Sequence, residues 1–129
     1  MRLSSRPQTG IRQVSKLFRL LYPLEDQLNN QIQQFVKTSN KINDIQIFFD
    51  TDFHDDNYVK LLSLRDKILQ VDTSLHWEEF SKLDRKEQEL VFIRKLKKVV
   101  IEVAKKYKLD INQLELAFAS LLDKITYEN

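Results

Sequence analysis

Residues 41–56 read KINDIQIFFDTDFHDD, and this stretch decides between an all-helical chain and a chain that contains a sheet. Ile45, Ile47 and Phe49 alternate with their neighbours, as in a strand that buries one face. The alternation is weak, and a strand in an otherwise helical chain would have no partner strand. We therefore interpret residues 41–56 as a loop or a short irregular helix, whose phenylalanines pack against the underside of a helical bundle.

The segments on both sides of this stretch have the apolar spacing of amphipathic helices. We place Pro23 at the first position of a second helix, where its missing N–H costs nothing, with Glu25 and Asp26 in the first turn. A short helix is expected around Trp77 and Phe80. The longer helices are predicted at 10–22, 24–38, 57–71, 85–108 and 111–126.

Two of these helices have clear start signals. Asp84 is followed three residues later by Glu87, which is a capping-box pattern, and Asp110 is followed in the same way by Gln113. The sequence as a whole predicts an all-α fold, a compact bundle of five to six helices without a sheet of three or more strands. We expect residues 1–129 to form a single helical domain.

Composition narrows the class of protein. The chain of 129 residues has the length of one domain, and it contains no cysteine, which excludes disulfides and thiolate metal sites and favours a reducing, cytoplasmic setting. Its single glycine argues against a barrel or sandwich with many tight turns. No apolar run approaches the roughly 20 residues that a membrane span needs, so we expect no membrane contact.

The segment Asp50–Asp56 contains five carboxylates or histidines that suggest a metal site. An EF-hand loop would need glycine at its sixth position and glutamate at its twelfth, where this chain has Asp55 and Leu61. A histidine–aspartate phosphohydrolase would need further histidines, and the only one besides His54 is His76. We therefore interpret the segment as an acidic loop that caps a helix, and predict no metal.

Catalytic motifs are also missing from the sequence. There is no cysteine nucleophile and no Gly-x-Ser-x-Gly elbow, and Gly10 alone cannot make a glycine-rich phosphate loop. We expect a protein that is not an enzyme and that needs no cofactor.

The charge distribution is more informative than the net charge of +2. Cations stand on the helix faces opposite the apolar arcs, and residues 93–108 contain seven cations with Glu102 as the one acid. Such stripes can follow a phosphate backbone, although lysine-rich helix faces are often only solvated. The predicted nucleic-acid contacts are Arg12, Lys16, Arg19, Arg94, Lys98 and Lys105.

The opening stretch QTGIRQVSKLFRLLYPLE, residues 8–25, resembles the first helix of the small helical subunit of type III CRISPR effector complexes. The residues that match that family's pattern are Thr9, Ile11, Arg12, Val14, Leu17, Leu21 and Tyr22. The closing stretch AFASLLDKITY is similar to the family's last helix. The resemblance implies a non-catalytic subunit in antiviral defence, which stacks with copies of itself and lines the channel for guide and target RNA, with Arg12 among the contacts.

The sequence therefore favours a helical subunit of a ribonucleoprotein complex that touches an RNA backbone. The alternative is a helical adaptor or inhibitor, either immunity-type or phage-encoded, that binds a partner protein through acidic and basic patches. Clustering of the two basic helices on one face of the fold would favour the RNA-binding hypothesis. Burial of either stripe, or an acidic channel between them, would favour the protein partner.

Overall fold

The fold is mixed α/β. The computed structural model describes residues 1–8, 11–35, 41–52, 55 and 57–127. The elements along these residues are β1 (Arg2–Pro7), α1 (Arg12–Phe35), β2 (Asp44–Asp50), β3 (Val59–Arg65), β4 (Ile68–Ser74), α2 (Trp77–Lys82), α3 (Arg85–Tyr107) and α4 (Ile111–Tyr127). The predicted all-α fold, a compact bundle of five to six helices, is wrong, because the described residues include a four-stranded sheet.

The strands form one four-stranded sheet in the order β1-β2-β4-β3. β1 pairs with β2 and β2 pairs with β4 in parallel, whereas β3 and β4 are antiparallel. Two parallel strands cannot be joined by a tight turn, and α1 supplies the crossover between β1 and β2.

The stretch that the sequence predicts to be a loop contains β2, which has a neighbouring strand on each side. Ile45 lies opposite Leu3 of β1 and Leu69 of β4. The side chains of Ile45, Ile47 and Phe49 are fully buried, so their alternation was a true strand signal. The expectation that this strand has no partner is wrong, because both partners come from segments without a clean strand pattern.

The predicted helix 57–71 is instead most of a β-hairpin. Its strands β3 and β4 are joined by Asp66 and Lys67, whose φ angles are 54° and 64°. Positive φ at both central residues belongs to the type I′ turn, which usually contains Asn or Gly. The residue types of the turn therefore did not indicate a hairpin. The apolar residues of β3 and β4 have a spacing that is also compatible with an amphipathic helix.

A single long helix replaces the two helices predicted on either side of Pro23. α1 runs through this proline from Arg12 to Phe35. A proline inside a helix lacks an N–H and disturbs the carbonyls of the preceding turn. One carbonyl in that turn, Leu20 O, accepts a hydrogen bond from the Arg85 side chain. Residues 9, 10 and 36–40, which belong to the predicted helices or flank them, lie outside the described residues.

The helical predictions after residue 76 are confirmed. α2 contains Trp77 and Phe80, and α3 begins where the Asp84 carboxylate accepts a hydrogen bond from the Glu87 N–H at 2.9 Å. α4 begins in the same way, since Asp110 Oδ1 accepts from the Gln113 N–H at 3.2 Å. These caps satisfy N–H groups that have no partner inside the helix.

The core joins the sheet to the helices through three aromatic rings. Phe18 of α1, Phe49 of β2 and Phe92 of α3 are fully buried, with ring centroids 5.3 to 6.0 Å apart. α4 packs against α1 and α3 and buries Leu114 and Phe118. The helices therefore cover the sheet face that carries Phe49, and they determine which cations reach the surface.

Candidate functional site

The predicted cations of α1 lie on the surface. Arg12, Lys16 and Arg19 are exposed and, with Gln13 and Ser15, line a groove of about 590 Å³. The described residues that line it are all polar, and its apolar surface comes from the stems of their side chains. The stripe therefore offers a partner mainly charge and hydrogen-bond donors.

The predicted cations of α3 divide into two locations. Arg94 and Lys98 line a cleft between α2 and α3, and Lys98 Nζ donates a hydrogen bond to Asn57 Oδ1 at 2.7 Å. Lys105 is not in that lining, and its Nζ lies 3.7 Å from Glu102 Oε1. The structure therefore brings two of these three residues together in one concave site.

The cleft between α2 and α3, which we call the α2–α3 cleft, has a volume of about 470 Å³. Its floor is apolar and its rim is charged, with cations on α3 facing Glu79 and His76 on the other side. The lining residues are Leu75, His76, Glu79, Phe80, Leu83, Val91, Arg94, Lys95 and Lys98. An apolar pocket with a few polar groups at its mouth is the usual form of a binding site.

The floor of this cleft was not anticipated from the sequence. Val91, Arg94, Lys95 and Lys98 have the i, i+3, i+4, i+7 spacing of one helical face, and that spacing is visible in the sequence. Leu75 and Phe80 come from the end of β4 and from α2, whose position against α3 no local pattern reveals.

The two basic stripes line different grooves. α1 contacts β1 and α3 contacts β3, and these strands are the opposite edges of the sheet. The lining of the α1 groove and the lining of the α2–α3 cleft share no residue. The two grooves are therefore distinct concave sites, and neither stripe is buried.

The acidic segment is described only in part, because His54 and Asp56 lie outside the described residues. Asp50 Oδ1 accepts from the Asp52 N–H at 2.9 Å, and Asp55 Oδ1 accepts from the Asn57 N–H at 3.0 Å. These bonds turn the backbone locally. Over the described ranges, no group of three or more histidine, aspartate or glutamate side chains could hold a metal ion. The prediction of no metal stays a prediction.

Glu25 is a buried carboxyl group inside α1, which the sequence placed wrongly in the first turn of a second helix. It is 6% exposed, and its carboxylate accepts hydrogen bonds from the hydroxyl and the backbone of Ser5. Burial raises the pKa of Glu25 from 4.5 to about 7, and the bonds from Ser5 oppose that rise. Its position on the apolar arc of α1, between Leu21 and Leu28, was the signal that could have found it.

None of the helices in the described part of the chain has the length and apolar content that a bilayer crossing requires.

Comparison with known proteins replaces the resemblance to a CRISPR subunit. Over residues 1–124 the sequence matches the model of a family described as immunity protein 44. No curated protein and no solved structure matches the chain. The assignment to the small subunit of type III CRISPR complexes is therefore wrong, and the expected RNA backbone and role in antiviral defence lose their support. Because the match covers residues 1–124 of the 129, the chain belongs to the immunity protein 44 family.

Proposed function

We propose that this chain is an immunity protein that binds a toxin protein and blocks its action by direct contact. The observation that carries the proposal is the family match over residues 1–124, since immunity proteins have a toxin as their binding partner. The match supports the alternative that the sequence left open, an immunity-type protein with a protein partner. We place the encounter in the cytoplasm.

The proposed mechanism is binding without catalysis. A bound protein can protect a cell by covering the active surface of a toxin, and this requires complementary shape and charge rather than a reacting group. Surface cations can speed such an encounter when the partner surface is acidic. Arg94 and Lys98 are suited to this role, and the nucleic-acid contacts predicted for Arg12, Lys16, Arg19 and Lys105 stay a prediction.

Growth protection tests the proposal. Bacterial cells would express a toxin domain encoded next to the gene for this chain, with and without the chain, and growth would be followed. We expect growth only when the chain is present. The matched control is the chain with Phe18→Asp, which places a charge in the fully buried aromatic cluster and should abolish protection by unfolding the protein.

A titration in vitro separates binding from catalysis. Purified toxin at a fixed concentration would be mixed with increasing amounts of the chain, and residual toxin activity would be measured. A binding mechanism predicts that inhibition saturates near one equivalent, with a complex of the two proteins on size-exclusion chromatography. Full inhibition far below one equivalent would indicate an enzyme, and wild-type cells without protection would contradict the proposed function itself.

A further inference from the structure

We propose that the α2–α3 cleft is the toxin-docking site and that its occupant is an acidic segment of the toxin that inserts an apolar side chain. This inference rests on the proposed function and goes beyond it, because it assigns the binding surface and the chemistry of the partner. Three observations carry it: the floor of the cleft, the charges at its rim, and the contrast with the other grooves.

The floor of the cleft offers apolar surface that is only partly covered. Leu75 and Phe80 are each 2% exposed and close the bottom, whereas Leu83 and Val91 are half-buried and remain open to a partner. Strong protein interfaces place an apolar or aromatic anchor in a pocket of this kind, with polar groups around it. A volume of about 470 Å³ accommodates one large side chain together with its neighbours.

The rim of the cleft is positively charged. Arg94, Lys95 and Lys98 stand along α3, and the hydrogen bond from Lys98 to Asn57 fixes the ammonium group at the mouth. On the opposite side, Glu79 Oε2 lies 3.2 Å from His76 Nδ1, so Glu79, the one acid among the described lining residues, has a nearby partner on its own side of the cleft. Charge complementarity therefore calls for carboxylates on the occupant, beside the side chain that enters the floor.

Two other grooves lack an apolar floor with cations around it. The groove of Arg12, Lys16 and Arg19 on α1 is basic, but none of the described residues that line it is apolar. The groove at the β3–β4 hairpin, with Arg65 and Asp66, contains both signs of charge. Neither groove therefore offers an acidic partner both an apolar anchor point and an excess of positive charge.

A groove between α1, α3 and α4 is closer in composition, but its groups are already engaged. Its apolar residues Leu24 and Ile125 are each 8% exposed, so they offer little surface to a partner. Arg85 donates to the Leu20 carbonyl, and Lys86 Nζ donates to a backbone carbonyl of α4 at 2.8 Å. Cations of the α2–α3 cleft also have partners, Lys98 among them, but the apolar floor of this cleft is open, because Leu83 and Val91 are only half-buried.

A single tryptophan makes the cleft observable. Trp77 is the one tryptophan of the chain, and its ring centroid lies 6.4 Å from that of Phe80, which lines the cleft. Labelling the chain with 5-fluorotryptophan therefore gives one ¹⁹F resonance next to the proposed site. Because the label is on the chain alone, tryptophans of the toxin do not contribute to the spectrum.

The test uses the toxin domain against which the wild-type chain protects cells. Binding affinity and the ¹⁹F shift would be measured for the wild type, for Arg94→Glu with Lys98→Glu, and for Val91→Phe, which fills the floor without a change of charge. The matched comparison is Arg12→Glu with Lys16→Glu, the same change of charge on the other basic surface. Melting temperatures would show whether each variant is folded. If the double variant does not fold, the single variant Arg94→Glu, at an exposed position, replaces it in the binding measurement.

We expect the cleft variants to bind roughly 30-fold or more weakly, and the α1 variant to stay within about threefold of the wild type. The ¹⁹F resonance of the wild type should move when the toxin is added. Wild-type affinity in both cleft variants, or a larger loss in the α1 variant, would overturn the cleft assignment and leave the proposed function standing. Absence of protection by the wild type would overturn the proposed function and the docking site with it.

Discussion

Glu25 and Asn29 lie one helical turn apart on α1, and together they bind the outer edge of β1. Asn29 Oδ1 accepts from the Leu3 N–H at 2.7 Å, and Asn29 Nδ2 donates to the Leu3 carbonyl at 2.9 Å. Glu25 accepts from Ser5, two residues further along the strand. Four helical residues rise about 6 Å and two strand residues rise about 6.6 Å, so the two spacings match.

This pair of contacts explains how the sheet ends on that side. β1 is an edge strand, and unpaired N–H and C=O groups at an edge invite pairing with another chain. Asn29 satisfies the N–H and the carbonyl of Leu3 as a neighbouring strand would. The buried polar residues of α1 therefore have a structural role, and the raised pKa of Glu25 needs no catalytic explanation.

The first prediction concerns the pH dependence of stability. The pKa of Glu25 in the folded chain is about 7, above its ordinary value of 4.5. The folded state therefore binds more protons than the unfolded state between these values, and this stabilisation is fully present below pH 4.5 and is lost as the pH rises through about 7. The loss amounts to about 3 kcal/mol.

Glu25→Gln tests this prediction because glutamine resembles the protonated acid and does not titrate. We expect urea unfolding to give similar stabilities for the variant and the wild type at pH 5, and a variant that is about 2 kcal/mol more stable at pH 9. Parallel stability profiles of the two proteins across this range would show that Glu25 does not titrate as described.

The second prediction concerns the edge of β1. Asn29→Ala should lower the free energy of unfolding by about 2–4 kcal/mol, because it leaves the buried N–H and C=O of Leu3 without a partner. Asn30→Ala is the matched control, since Asn30 is the exposed neighbour on the same helix. We expect faster hydrogen exchange at the Leu3 amide in the first variant only. Equal stability of the two variants would argue against the edge contact.

The third prediction concerns the β3–β4 turn. Asp66 and Lys67 both have positive φ, which costs most residues about 1 kcal/mol or more and costs glycine little. Asp66→Asn with Lys67→Gly gives the pair that type I′ turns prefer, and we expect the midpoint of thermal unfolding to rise, with a gain of about 1 kcal/mol. As a control, Lys60→Gly within β3 should destabilise the chain. A lower midpoint for the turn variant would contradict the hairpin geometry.

The fourth prediction concerns the aromatic cluster. Phe92→Ala should cost about 3–5 kcal/mol, because it opens a cavity between α1, α3 and the sheet where Phe18 and Phe49 meet. Phe35, at the exposed end of α1, provides the control substitution Phe35→Ala, for which the expected loss is small. The measurement is denaturant unfolding, and a comparable loss at both positions would mean that the three rings do not form the centre of the core.

Local chemistry determined the last two helices of this chain, α3 and α4. The aspartates at residues 84 and 110 specify where α3 and α4 begin, since an aspartate side chain can satisfy N–H groups within the next three residues without help from the rest of the protein. The positions of the cations on their helices were equally local, because a period of 3.6 residues follows from backbone geometry alone. Two of the predicted residues, Arg94 and Lys98, consequently line the proposed site.

Only the tertiary structure decided the sheet, the continuity of α1 and the α2–α3 cleft. A strand such as β2 is stable only when its backbone groups bond to other strands, and its partners β1 and β4 lie about 40 residues before it and 24 residues after it. The turn at Asp66 and Lys67 carries no glycine, so the hairpin is specified by pairing rather than by the turn. The cleft exists because α2 packs against α3 and buries Phe80, and the periodicity of each helix by itself does not specify how the two helices pack.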